Sequence, residues 1–428
     1  MHGLERMDVR SGSDWFGHPR GLTVLFLTEM WEKFSYYGMR ALLVYYMTKH
    51  LLLAQAQASL VYGAYTAFAY FTPIVGGWFS DRWLGRRKAV VIGGTIMALG
   101  HFMMAFESLF YPALATIALG NGLYLPSLPS QIQGLYAPGD PRGKSAYNVY
   151  YVGVNLGGFM APLICGLLGE LYGWHWGFGA AGVGMVCGLL IYMWGSRWLP
   201  ANGPTVTRVA SDGPAGSARL YLLLAGIVLV VVVFRGAYEQ LGNTVALWAD
   251  VGVNRSIGNS LSIPMTWFQA VNPLLVMVLT PLLLARWRRL SQQGREISSV
   301  GKMARGAGIV AIAYVLLAVA AAWSTKQAEP ASWVWLVAFL VVLTVGELYV
   351  LPVGLGLFGR LAPPQVAATV IAGWFFATFA GSLLGGALGT FWSRLSATEF
   401  FGLMAAVSAV GGVLLMLFDR PIRDLESK

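Results

Sequence analysis

Charge is what this sequence has least of. Only 11% of its 428 residues are Asp, Glu, Lys or Arg, while 57% are hydrophobic; a water-soluble domain carries about 25% charged residues. Too little charge remains to cover a soluble surface of this size. Cysteine is nearly absent as well. Cys165 and Cys187 both fall in apolar stretches, read as small packing residues, and imply no disulfide framework. The five histidines, His101 and His175 among them, show no metal-ligand spacing. No glycine-rich phosphate loop with its lysine supports ATP-driven chemistry, and no Gly-x-Ser-x-Gly elbow supports a serine nucleophile. An enzyme and a bound cofactor or metal are therefore not expected. The first roughly twenty residues lack an apolar core, so no cleavable signal peptide is expected either.

What the chain has instead is apolar stretches of about 20 residues, the length that crosses a hydrocarbon core of roughly 30 Å. Twelve can be placed, near 21–50, 57–80, 88–108, 110–136, 145–170, 174–198, 219–248, 260–287, 305–323, 331–360, 366–392 and 397–418. The fold class is thus an all-α polytopic membrane protein. The net charge of +10 could suggest nucleic acid, but its distribution argues for a lipid bilayer and no nucleic-acid partner. Of the 29 Lys and Arg, 22 lie in the N-terminal tail, one set of alternate loops and the C-terminal tail, and four (Lys49, Arg255, Lys326 and Arg394) in the other loops. That bias places both termini in the cytoplasm of a cell carrying this protein in its inner or plasma membrane. The stretch at 200–218 is rich in Gly, Pro, Asn and Ser and reads as a flexible linker. The expected organisation is a tail at 1–20, a six-helix bundle at 21–199, the linker, a second bundle at 219–418 and a tail at 419–428, as in transporters built from two helical halves.

Pro73, Pro126, Pro129, Pro162, Pro273, Pro281 and Pro352 fall at membrane depth, where each removes a backbone donor. Together they favour helices that bend around a cavity. Charges at the same depth are more telling, because one at the bilayer centre costs on the order of 3 kcal/mol and needs a partner, a wet cavity or a function. Helical spacing puts Glu29, Lys33, Tyr36 and Arg40 on one stripe of the first span, with Glu32 and Tyr37 beside it. In the seventh span Arg235 and Glu239 are four apart and share a face, although Arg235 could also snorkel to an interface. Glu347 in the tenth has no partner nearby in sequence, so it is either paired across helices or carries a proton. Gln269 and Asn272 precede Pro273, Asn155 sits among small residues in the fifth span, and Tyr62, Tyr65 and Tyr70 line up in the second.

Gly77-Trp78-Phe79-Ser80-Asp81-Arg82-Trp83-Leu84-Gly85-Arg86-Arg87-Lys88 resembles the loop between helices two and three of the major facilitator superfamily. Glu29-x-x-Glu32-Lys33-Phe34-Ser35-Tyr36-Tyr37-Gly38, the segment from Tyr147 to Gly157, Tyr238-Glu239-Gln240-x-Gly242, Gln269-x-x-Asn272-Pro273 and Gly346-Glu347-Leu348-Tyr349 resemble the signatures of its proton-dependent oligopeptide transporter family. The resemblance implies the major facilitator fold of 12 transmembrane helices in two six-helix bundles, and proton-coupled import of di- and tripeptides by alternating access. It implies a proton-coupling set of Glu29, Glu32, Lys33, Arg40 and Glu239, and substrate contacts from Lys33, Tyr37, Arg40, Tyr65, Asn155, Asn272, Glu347 and Trp374. Asp81, Arg82, Arg86 and Arg87 would act in gating. Two positions depart from the pattern: Lys33 stands where an arginine is usual, and Leu125 where the fourth helix usually carries a lysine. Arg235 is expected to replace part of that missing charge.

A monomer with peptide and protons as its partners is the expectation. A cavity with Lys33 and Arg40 facing Glu347 would suit a zwitterion, and an inward proton gains about 2.3 kcal/mol per 100 mV of membrane potential. The same features leave room for a proton-coupled carrier of a modified amino acid, a drug or an anion, and for a peptide-binding sensor that moves nothing.

Overall fold

The computed structural model describes residues 13–15, 17–137, 139–200, 218–258, 261–363 and 366–426. They form α1 (Arg20–Tyr45), α2 (Gln55–Phe79), α3 (Arg86–Met103), α4 (Phe110–Ser127), α5 (Arg142–Ala161), α6 (Trp174–Gly195), α7 (Ala218–Tyr238), α8 (Phe268–Gln292), α9 (Ser299–Gln327), α10 (Trp333–Leu361), α11 (Ala367–Gly389) and α12 (Ala397–Glu426). Shorter pieces extend some of them. A π-helical turn at Pro162–Gly166 and a helix at Leu167–Tyr172 prolong α5, and Thr244–Val251 continues α7 beyond a break.

Among the described residues nine helices are long and apolar enough to cross a membrane. The rods of α1, α2 and α3 are not among them. Glu29, Glu32, Lys33 and Arg40 interrupt the first, Arg86, Arg87 and Lys88 open the third, and the second is dense in Tyr and Gly. These rods still carry membrane length, so the twelve-span reading is consistent with the elements. Boundaries shift where the chemistry dictates. The fourth span, expected to reach residue 136, is α-helical only to Ser127 and goes on as 3-10 turns, because Pro126 and Pro129 remove two donors in succession. The last helix runs to Glu426, into the segment expected as a tail. The linker at 201–217 lies outside the described residues.

Packing divides the rods into two groups. In the first half α1 lies against α5 and α6, α2 against α4, and α3 against α4 and α6; in the second α9 lies against α10 and α12, and α7 against α11 and α12. Each half buries its own apolar core. Phe234, Tyr314, Phe339 and Phe400 sit in one; Leu42, Tyr62, Ile117 and Phe178 in another. Two seams join the halves, α2 against α11 and α5 against α8. At the first, a Cβ added to Gly63 would stand 2.5 Å from Gly386 Cα, so backbones touch there and no larger residue fits.

Cross-half bonds gather at the end away from the start of α1. Lys49 pairs with Asp250 at 2.6 Å. Gln55 donates to the Gly389 carbonyl at 2.9 Å, Ser59 to Asn243 at 2.9 Å and Tyr45 to the Ala246 carbonyl at 2.8 Å. Glu170 accepts from the Met265 and Thr266 amides at 3.1 and 2.9 Å and from the Thr266 hydroxyl at 2.6 Å, capping orphan donors where the α8 rod begins. This end is sealed.

Candidate functional site

Between the halves lies a cavity of about 210 Å³. Tyr37 and Arg40 of α1, Tyr70 of α2, Tyr151 and Asn155 of α5, Arg235 and Tyr238 of α7, Glu239, Gln269 and Asn272 with Pro273, and Glu347 of α10 line it. Tyr151 lines the chamber and is 48% exposed. The chamber's charged walls are built from interruptions of helical order.

The first is the break after Tyr238. The chain tightens to a 3-10 turn over Glu239–Gly242 and Asn243 leaves helical geometry. Gln240 holds the break: its amide donates to the carbonyls of Gly236 at 3.0 Å and Gly385 at 2.8 Å, and its oxygen accepts from Thr244 at 3.0 Å. Glu239 is thereby aimed across the molecule. Its Oε2 meets Arg40 Nη2 of the other half at 2.9 Å, and its Oε1 meets Arg235 Nη2 at 2.6 Å. Arg40 Nε donates to the Tyr62 hydroxyl at 2.7 Å. Arg235 does not snorkel; it is 5% exposed, with its guanidinium 5.7 Å from the Tyr70 ring centroid and 5.3 Å from that of Tyr238. Two guanidinium groups thus share one carboxylate.

The second is Pro273, which denies the Gln269 carbonyl its helical donor. The Gln269 side chain reaches Ala41 O at 3.1 Å across the halves. Asn272 donates to Glu347 at 2.7 Å and to Thr344 Oγ1 at 2.9 Å. The Glu347 carboxylate has this amide and, among the described residues, no cation within 4.0 Å. Asn155 donates to the Tyr151 carbonyl at 2.9 Å.

A further charged group lies in α1, away from the cavity wall. Lys33 Nζ stands 2.6 Å from Glu32 and 3.4 Å from Glu29. Both carboxylates are buried, at 0% and 2% exposure. Here one cation serves two acids. Lys33, expected among the substrate contacts, does not line the cavity, because its ammonium is turned to these acids. Tyr65 and Trp374 do not line it either. Tyr65 stacks on Tyr36 with centroids 6.3 Å apart. Trp374 is 6% exposed and packs on Gly354 and Phe358. Tyr37, Arg40, Asn155, Asn272 and Glu347 do line it.

Tyr70, Tyr151, Tyr238 and Gln269 belong to the lining too, though sequence reasoning had not assigned them to the site. All but Tyr70 sit inside the quoted signatures, a signal that could have drawn attention to them. In the loop after α2, Arg82 lies 5.9 Å from the rings of Trp78 and of Trp83, Arg86 donates to Ser130 O at 3.0 Å, and Arg87 donates to Leu199 O. These partners belong to the same half. Asp81 is exposed beside them in the π-helical turn Ser80–Leu84.

Comparison with known proteins agrees with this architecture. The chain is 30% identical to a di-/tripeptide transporter of Lactococcus lactis subsp. cremoris over 96% of its own length and 97% of the relative's. It is 31% identical to the peptide transporter YePEPT of Yersinia enterocolitica, covering 88% and 89%. A crystal structure of a peptide transporter POT in complex with sulfate superposes with a TM-score of 0.88 at 27% identity, covering 97% of this chain and 99% of that one. Residues 87–212 and 217–407 match the sequence model of the POT family. This multi-pass, two-bundle membrane protein belongs to the POT family of transporters.

Proposed function

We propose that this protein is a proton-coupled symporter that imports di- and tripeptides by alternating access, acting as a monomer without cofactor or enzymatic activity. The observation that carries the reading is the ion pair between Arg40 and Glu239, 2.9 Å long, set in a chamber whose other acid, Glu347, forms no ion pair among the described residues. A zwitterion placed there offers its carboxylate to the arginines and its ammonium to Glu347, with the Asn155 and Asn272 amides between. Transport requires the cross-half pair to loosen, and neutralising either partner supplies that. A proton on Glu239, or on Glu29 or Glu32 in the neighbouring group, changes the charge balance and biases which side is open. Asp81, Arg82, Arg86 and Arg87 would tether the loop side once that end closes. Both termini are assigned to the cytoplasm of an inner or plasma membrane by the Lys and Arg bias, so the sealed end faces outward and the chamber opens inward.

The test is reconstituted uptake of labelled dialanine, with and without acid outside the vesicle. Uptake stimulated by the pH gradient and inhibited by unlabelled di- and tripeptides is expected. Uptake of some other solute that these peptides do not inhibit would overturn the reading.

A further inference from the structure

Residues 286–305, where α8 ends and α9 begins, hold six cations, Arg286, Arg288, Arg289, Arg295, Lys302 and Arg305, against one acid, Glu296. Among the described residues none of the six forms an ion pair, and the five arginines are exposed. Glu296 meets Ser291 at 3.5 Å, and Asp419 of the adjacent α12 is taken by Ser298 and Arg423. The α2–α3 loop of the other half differs, since Arg86 and Arg87 there are bonded to the carbonyls of Ser130 and Leu199.

The placement of the unpaired cations is specific. At about 100° per residue, Leu274, Val278, Leu282 and Arg289 share one stripe of α8, and the three apolar residues are 40%, 51% and 61% exposed. Gln269, Asn272 and Val276, which line the cavity, lie on the opposite stripe. On α9, Arg305 shares a stripe with Ile312 and Val319, which are 58% and 48% exposed. Each lipid-facing stripe therefore runs into an arginine. Lys302 holds its ammonium 4.8 Å from the Trp287 ring centroid, tying the two helix ends together. Orientation in the membrane needs cations in the loop but not on these stripes. The helix dipole favours Arg289 in the last turn of α8 but opposes Lys302 in the opening turn of α9, where no acid stands.

We propose that the α8–α9 end is a binding site for an anionic phospholipid of the cytoplasmic leaflet, with Arg289 and Arg305 taking the headgroup phosphate and Arg286, Arg288 and Lys302 adding to the local positive field. The inference rests on the orientation given by the Lys and Arg bias and is independent of the cargo. A guanidinium fork matches phosphate oxygens bidentately. Its stem lies along the apolar stripe while its head stays at headgroup level. The acyl chains cover Val278, Leu282 and Ile312, which a soluble anion would leave bare.

Full-length protein in detergent is loaded with an equimolar mixture of phosphatidylglycerol and phosphatidylcholine of the same acyl chains, and retained lipid is counted by native mass spectrometry. Phosphatidylglycerol should be retained about tenfold over phosphatidylcholine, the order expected when more than one basic residue meets an anionic headgroup. Arg286→Gln, Arg288→Gln and Arg289→Gln combined should cut that ratio at least about fivefold. If that variant does not fold, the pair Arg289→Gln and Arg305→Gln, which changes only the ends of the stripes, is read in its place. Lysine at the same positions should keep part of the ratio, having the charge without the fork. Arg197→Gln with Arg219→Gln, which removes two charges elsewhere, should leave it unchanged. Millimolar inorganic phosphate should not displace the lipid. Equal retention of the two lipids, a ratio unmoved by the Gln variants, or an equal fall in the Arg197 and Arg219 control overturns the assignment. Displacement by phosphate overturns it too, by giving the arginines to a soluble anion.

Discussion

Two charged groups in this molecule are mirror images in stoichiometry. Within α1, Glu29 and Glu32 share one cation, Lys33. Across the halves, Arg40 and Arg235 share one anion, Glu239. The first group is short of one positive charge and lies off the cavity wall, so a proton suffices to balance it. The second carries one positive charge beyond its own anion and faces a chamber whose other acid is Glu347, so a zwitterion enters without disturbing the charge balance of the chamber. They also differ mechanically. The first sits inside one helix and travels with one half; the second joins α1 to the broken end of α7 and must strain or part when the halves rock. Burial makes both expensive to leave unbalanced, and that expense gives a proton or a substrate leverage over the conformational equilibrium.

The largest effect that would break this contrast comes from Glu239→Gln. It leaves two buried arginines without their anion, and removing one partner of a buried pair costs about 3–5 kcal/mol. We expect a matching loss of unfolding free energy in detergent together with loss of peptide uptake. A variant as stable as the parent would mean that the arginines find another counterion and that the group is not the cross-half clasp described above.

Glu32→Gln should be milder for the fold, because Glu29 remains to hold Lys33. Its expected signature is functional. Stimulation of uptake by external acid should disappear, a change of at least about tenfold or ~1.4 kcal/mol of lost driving force, while counterflow with peptide on both sides persists. Stimulation that survives would move the proton-balancing role from α1 to Glu239 or Glu347.

The smallest expected effect sharpens the mechanical half of the contrast. Gly63→Ala places a methyl within 2.5 Å of Gly386 Cα across the α2–α11 seam, and overpacking of this kind costs about 1–3 kcal/mol. The cost should fall on the sealed arrangement alone and shift the population toward the outward-open one. Cysteine accessibility at Gln55 should rise in a Gly63→Ala background relative to the same cysteine with Gly63 kept. Unchanged accessibility would show that the seam yields without opening.

Much of the site was legible because its residues break a pattern. In a chain this apolar, Arg40, Glu239 and Glu347 stand out by the cost of placing a charge in hydrocarbon, and the four-residue spacing of Arg235 and Glu239 marks them as neighbours. Lys33, Tyr65 and Trp374 show where one-dimensional reading stops. A helical stripe tells which residues share a face, yet Lys33 bends to its own acids, Tyr65 is covered by Tyr36 and Trp374 fills the space over Gly354. Tyr151 and Tyr238 were hidden for the converse reason, since tyrosines are common in membrane helices and periodicity cannot tell a cavity wall from a lipid-facing ring.

By itself the sequence determined that the chain lives in a bilayer and which side chains carry charge into that environment, because hydrocarbon penalises polarity wherever it occurs along the chain. Only the tertiary structure decided which of those charges meet. The break after Tyr238 and the proline at 273 turn residues from different halves toward one chamber, and the glycine contact between α2 and α11 closes one end of it. Contacts of that kind join positions some 200 residues apart, as Arg40 and Glu239 are, and no local periodicity encodes their distance.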